Sequence, residues 1–248
     1  MSSLPESRSP RPSASVLTRI LSILDVVKRT DAPISVSELA LATDIPKSTA
    51  ARMVGELVSQ RYLTRDADGV SLGLRLFELG ARATMPRRLV SAAAPIMSHL
   101  AQHTGERVGL WVQQGTDMVS LAAAPGRLPM LPTSAGMRSP ALTTASGKAY
   151  LAFCGDQHVI DRISAPLIDD EMAHFQEELV AVRTTMLATD AGASYRGVLA
   201  VASPIISADN AVVGAISVAG PAGGMQPDNV SPLVRAASLS LARRLAVA

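Results

Sequence analysis

IPKSTAARMVGEL, residues Ile45 to Leu57, decides how the rest of this chain reads. Ala50, Met53, Val54 and Leu57 recur at the i, i+3, i+4, i+7 spacing of a helix with one buried face. The opposite face gathers Lys47, Ser48, Thr49, Ala51 and Arg52, short or basic groups crowded into the first two turns. Pro46 suits the opening of the helix, where its missing N–H is harmless. Such a helix fits a DNA major groove from its N-terminal end. Arg52 can bond a guanine edge in bidentate fashion, and Ser48 and Thr49 can reach phosphates or base edges. Ser35 and Lys47 are expected on phosphates.

The flanking sequence supplies the rest of a DNA-binding unit. Val16 to Lys28 carries an apolar stripe through Ile20, Ile23, Leu24 and Val27, which predicts an amphipathic helix. Ser35 and Glu38 form a capping-box pattern ahead of a short helix, Val36 to Ala42. Thr43-Asp44-Ile45 is the turn between that helix and the next. Tyr62 to Arg65, the turn Asp66 to Gly69, and Val70 to Leu72 read as a hairpin. Three helices followed by a hairpin give the order of a winged helix-turn-helix, with Arg65 on the wing. A linking helix is expected over Leu74 to Ala83, a boundary at Met85 to Arg88, and a further helix over Leu89 to His103.

Beyond that point strands and helices mix without a regular βαβ repeat. Strands are predicted at Val108 to Gln113, Met118 to Ala123, 128–133, Val198 to Ile206 and Val212 to Ala219. Helices are predicted at Gly147 to Phe153, Gln157 to Ile163, Asp170 to Leu187 and Val230 to Leu245. The pattern implies an α+β domain with a mostly antiparallel sheet.

Composition agrees. With 248 residues, 48% of them apolar, the chain can build one large or two modest globular domains. Charge is unevenly divided: residues 1–88 hold 13 Lys+Arg against 9 Asp+Glu, whereas 89–248 hold 10 against 12. The basic excess lies with the DNA-binding segment, as attraction to phosphates requires. The polar, Ser- and Pro-rich start reads as a disordered tail over 1–13 without a signal-peptide core. No apolar run reaches membrane-spanning length. The single cysteine, Cys154, forbids an internal disulfide, fits a cytoplasmic protein and reads as buried packing.

From about residue 15 to its end the chain resembles the IclR family of bacterial transcriptional regulators. The segment from Leu17 to Asp66 is similar to that family's winged helix-turn-helix, above all at Pro46-Lys47-Ser48-Thr49 with Arg52 one turn later. Leu72-Gly73 matches it too, and Ser134 to Ala152, SAGMRSPALTTASGKAYLA, is similar to its effector-domain signature. Gly197-Val198, Ala202-Ser203-Pro204 and Ala215 to Pro221 extend the likeness. The resemblance implies a winged domain (14–73), a linker helix (74–86) and a GAF-like effector-binding and oligomerisation domain (87–248). It further implies a double-stranded DNA operator, a small organic effector and a homodimer or homotetramer. The effector positions it implies are Leu128, Leu131, Ala145, Ser146, Asp190, Ala200, Ser217 and Ala219.

Several positions depart from the family pattern. Leu142 stands where a histidine is frequent, Ala200 where a cysteine is, Ala219 where a second serine is, and Ala191-Gly192 where acidic residues follow the aspartate. Each removes a polar group, so the expected effector is larger and more apolar than a glyoxylate-sized acid: an organic or aromatic acid of catabolism. No cofactor and no metal are expected. His99 and His103 share a helix face but lack a third ligand, and Gly147-Lys148 lacks the glycine spacing of a phosphate loop. Ser146, Ser217 and Asp190 have no histidine near them in sequence to serve as a base, which argues against an enzyme. The alternatives are an enzyme or sensor with an appended helix-turn-helix, and a protein-interaction module.

Overall fold

The structure, a computed structural model, describes residues 15–30, 32–127 and 135–247. The tail expected over 1–13 and the strand expected at 128–133 lie outside the described residues. The chain divides into two compact units, with the boundary between Ala83 and Thr84.

In the N-terminal unit, α1 (Val16–Arg29), α2 (Val36–Thr43) and α3 (Lys47–Ser59) form the three helices. The capping box is present: the Glu38 N–H donates to Ser35 Oγ at 3.2 Å, and the Ser35 N–H donates to Glu38 Oε2 at 2.9 Å. Asp44 ends α2 in the left-handed conformation, φ 54°, which a short polar side chain tolerates. The chain then turns so that Ile45 is buried and Pro46 stands as the N-cap of α3, one position before the helix. Ile23, Leu39, Ala50, Val54, Leu63 and Val70 close a common core.

The wing consists of β1 (Leu63–Arg65) and β2 (Val70–Leu72), antiparallel with Leu63 opposite Leu72. Asp66 Oδ1 accepts the N–H groups of Asp68 and Gly69, which tightens the turn. Ile34 exchanges two backbone hydrogen bonds with Val70, at 3.0 and 2.9 Å, and so adds an edge to the hairpin. A side chain at Gly69 would press on the Ile34 backbone. Helix α4 (Leu74–Gly80) is three residues shorter than expected, because 81–83 leave the helix in a turn. Gly73 enters it so close to the hairpin that a Cβ would overlap the Arg61 carbonyl. The Arg75 guanidinium lies 5.0 Å over the Tyr62 ring and donates to the Gln60 carbonyl.

The C-terminal unit opens with α5 (Thr84–Thr104), so Met85 to Arg88, expected as the boundary, lies in the first turn of a helix that starts five residues before the expected Leu89. Pro86 is tolerated there because first-turn N–H groups have no intrahelical partner. Strands β3 (Arg107–Gln114), β4 (Asp117–Ala124), β5 (Arg138–Pro140), β6 (Ala188–Asp190), β7 (Val198–Ile206) and β8 (Val212–Pro221) form an antiparallel sheet ordered β5-β4-β3-β8-β7-β6. The three-residue strands β5 and β6 escape the sequence reading, being too short for alternation to register.

Alternation along the strands sorts side chains to the two faces. Val108, Leu110, Val201, Ile205, Ile216 and Val218 pack with Leu89 and Leu100 of α5 and Val234 and Leu241 of α9 (Pro227–Val247). Trp111, Ala202 and Ala215 point the other way, toward α6 (Ala145–Leu151) and α8 (Asp169–Thr185). Helix α7 (Gln157–Ser164) contributes Ile163 to that second core. Gly147 lets α6 lie against the 141 loop, since a Cβ there would overlap the Ala141 carbonyl.

Candidate DNA-reading face and effector cavity

On α3 the residues opposite the core meet solvent. Lys47, Ser48, Ala51 and Arg52 are exposed and Thr49 is half-buried. Among the described residues, none of their side chains hydrogen-bonds or ion-pairs with another group of the protein. Ser35 is also exposed, and its hydroxyl accepts the Glu38 N–H. That capping pair holds the Glu38 carboxyl below its usual pKa. Arg65 is exposed at the end of β1.

The second site lies on the α6 side of the sheet in the C-terminal unit. Of the effector positions implied by the resemblance, Ala145, Ser146, Asp190, Ala200, Ser217 and Ala219 all line one cavity. Leu128 and Leu131 lie outside the described residues. The free space is about 50 Å³, room for a few waters and too little for a ring.

The register explains its floor. Arg107 is paired with Ala219 and Gly109 with Ser217 across β3 and β8, while Ala200 of β7 is paired with Ala219. A row of small residues therefore leaves a hollow in the sheet. Gly109 is decisive, because a Cβ there would strike the Trp111 indole and the Ser217 hydroxyl. Without it the indole leans across the strand, and Trp111 Nε1 donates to Ser217 Oγ at 2.9 Å. Ser217 keeps its own O–H to donate elsewhere.

Sequence reasoning missed the lining groups Arg107, Trp111, Met137, Ser139, Thr144, Ser194, Tyr195 and Val198. Arg107 is 4% exposed, with its guanidinium 5.5 Å over the Trp111 ring. Burial lowers its pKa and the nearby Tyr195 partly opposes this, yet a guanidinium stays charged. Ser139 is buried and its hydroxyl has no hydrogen-bond partner among the described residues. Asp190 is buried and folds the chain after β6, its Oδ1 accepting the N–H groups of Ala193 at 2.8 Å and Ser194 at 3.4 Å. Thr144 caps α6 by accepting the Gly147 N–H. Arg107, Ser139, Thr144 and Ser194 keep polar groups in the lining beside the positions where the departures remove them.

Among the described residues no histidine lines the cavity. Lys148 Nζ pairs with Glu178 Oε1 of α8 at 2.7 Å. His99 and His103 stack with ring centroids 3.9 Å apart, and among the described residues no three metal-ligating side chains gather. Cys154 is half-buried rather than packed in the core. No helix among the described residues is long and apolar enough to cross a membrane.

Comparison with known proteins agrees with both units. Residues 16–67 match the IclR helix-turn-helix domain, and residues 81–244 match the C-terminal domain of the bacterial transcriptional regulator IclR. The chain is 25% identical over 230 residues to the HTH-type transcriptional repressor AllR of Klebsiella pneumoniae, covering 89% of this chain and 85% of that one. Its fold is similar to an IclR homologue of Microbacterium hydrocarbonoxydans solved in complex with 4-hydroxybenzoate, with a TM-score of 0.84 at 23% identity over 94% of this chain and 100% of that one. The Thermotoga maritima IclR structure gives a TM-score of 0.73 at 22% identity over 93% and 98%. Two matched domains in the family's order, on a fold that its solved members share, place the chain in the IclR family of bacterial transcriptional regulators.

Proposed function

We propose that this regulator reads a double-stranded operator through the exposed face of α3, and that an organic acid held in the cavity of the C-terminal unit controls that reading without being turned over. The observation that carries the proposal is the contrast in engagement. Lys47, Ser48 and Arg52 face solvent with no side-chain partner among the described residues, whereas six expected effector positions converge on one buried cavity. Arg52 reads a base, Lys47 and Ser35 hold phosphates, Ser48 and Thr49 fit between them with Ala51 allowing close approach, and Arg65 steadies the wing.

The effector is a ring-bearing acid. Trp111, Met137, Val198 and Ala200 supply an apolar wall suited to a ring. The similarly folded Microbacterium homologue was solved with 4-hydroxybenzoate, which supports the same class. Because the free space is too small for a ring, binding parts the walls, and the turn between Gly192 (φ 96°) and Gly197 (φ 76°) is the segment that gives. An effector controls DNA binding only through unequal affinity for operator-competent and incompetent states. The segment 74–86, which links the winged domain (14–73) to the effector domain (87–248), carries that difference.

Two recognition helices are needed for a symmetric operator, and the N-terminal unit carries a surface for self-association. Leu17 and Leu21 of α1 and Leu74, Phe77 and Leu79 of α4 are exposed, Phe77 at 73%. A homodimer, or a homotetramer built as a dimer of dimers, covers them, and the assembly works in the cytoplasm with its operator.

The test is a thermal-shift panel of aromatic and short-chain acids on the full chain, followed by operator binding with and without each hit. A ring acid that raises the melting temperature and changes operator affinity is the expected result. Tight binding confined to glyoxylate-sized acids overturns the effector class.

A further inference from the structure

We infer that the groove between α5 and α9 is a second ligand site, which takes a nucleoside polyphosphate with its phosphates at the arginine end and its base at the apolar end. The groove lies on the opposite side of the sheet from the cavity described above, and the inference does not depend on the effector reading.

Arg87 and Arg88 in the opening turns of α5 meet Arg243 and Arg244 in the closing turns of α9, around an open groove of about 850 Å³. All four are exposed, and among the described residues none of their guanidiniums has a hydrogen-bond or ion-pair partner. The concentration is local, since residues 89–248 as a whole carry more acids than bases. Helix α5 holds no Asp or Glu, and α9 holds only Asp228, roughly 22 Å along the helix from Arg243. The helix dipole accounts for cations at the end of α9 but disfavours them at the start of α5. Four guanidiniums around one hollow repel one another, and a chain of phosphates offsets that repulsion. Its oxygens also match the planar fork of an arginine two at a time.

The groove continues past the arginines. Ser240 and Arg244 also line a second hollow of about 310 Å³, walled by Ile96 and Leu100 of α5 and Leu233 and Ala236 of α9. His99 and His103, stacked with ring centroids 3.9 Å apart, complete it. Imidazoles offer flat faces of the kind on which bases stack, which favours a ring over an alkyl chain. From Arg88 to His99 the helix advances about 16 Å. A nucleoside carrying several phosphates has that reach, and a single-ring acid does not. Among the described residues no carboxylate lines either hollow, so the arginines rather than a magnesium ion neutralise the phosphates. A DNA backbone would use the arginines and leave the apolar half empty.

Calorimetric titration of the full-length protein without magnesium tests this, with ATP, inorganic triphosphate and adenosine as probes. ATP is expected to bind at least about 10-fold more tightly than either fragment. The double variant Arg243→Gln, Arg244→Gln is expected to weaken ATP by at least about 10-fold and leave adenosine unchanged. Leu233→Asn is expected to narrow the gap between ATP and triphosphate while leaving triphosphate itself unchanged. Arg52→Ala, on the other unit, is expected to alter none of the three. The substituted side chains are exposed, and circular dichroism checks that each variant folds. ATP that binds no better than triphosphate, or that binds the double arginine variant as well as the natural protein, overturns the inference. Loss of ATP binding in Arg52→Ala overturns it by placing the nucleotide on α3. Absence of ATP binding, with the salt slope for a random-sequence duplex falling by about two units in the double variant, overturns it in favour of a DNA-backbone contact.

Discussion

The outer face of α3 and the cavity of the C-terminal unit both gather polar side chains, but they relate to their fold in opposite ways. On α3 the core residues Ala50, Met53, Val54 and Leu57 hold the helix, and Lys47, Ser48 and Arg52 stand clear of them in water. On the proposed reading, function and stability are carried there by different residues. In the cavity the proposed ligand-facing residues also hold the fold: Ser217 holds the Trp111 indole, Asp190 ties down the turn after β6, and Thr144 caps α6. A solvated face can change its specificity at little cost to folding, whereas each change in a buried site also perturbs packing or leaves a polar group unsatisfied.

The largest effect expected from this contrast is at Trp111. Trp111→Ala removes a buried aromatic and strips Ser217 of its donor, and should cost about 3–5 kcal/mol in denaturant unfolding of the C-terminal unit together with effector binding. Arg52→Ala should weaken operator binding by about 1–3 kcal/mol and relax base preference, with stability within about 0.5 kcal/mol and effector affinity unchanged. A loss of effector affinity in that variant would break the comparison. Ser35→Ala sharpens it, because Ser35 is exposed yet caps α2: about 1 kcal/mol of stability should go with it. If that neutral hydroxyl also contacts a phosphate, Ser35→Ala should weaken operator binding while leaving its salt dependence nearly unchanged.

The smallest effect is on pH. The folded-state pKa of Glu38 is lowered by its bonds to Ser35, so its contribution is complete above the ordinary value of 4.5 and is lost as pH falls through the lower folded value. Melting curves of the natural protein and Glu38→Gln should converge on acidification through that range and stay apart above it.

The same contrast explains what the sequence makes legible. A solvated helix advertises itself, because its buried stripe sets the period and the remaining residues are free by subtraction. The capping box and the wing are equally local, and both stand as read. Met85 to Arg88 lies just past the division between the two units, but inside the first turn of α5, which Pro86 hid because it looks like the end of a loop and put the expected helix start at Leu89. The cavity could be only half read. The family likeness marked six of its positions, but Arg107 looks like any charged residue at a strand start, and only the register with Ala219 and the bulk missing at Gly109 turn it inward. Ser139 lies on a strand too short to show alternation. Distances across a sheet are not written along a chain.

Trp111 is the only tryptophan in the protein. Its indole N–H is bonded within the cavity wall and its ring carries the Arg107 guanidinium on one face. Light emitted on tryptophan excitation therefore comes from a single address, the cavity proposed for the effector. On that reading the regulator carries a built-in optical gauge of occupancy that the N-terminal unit, which has no tryptophan, cannot obscure.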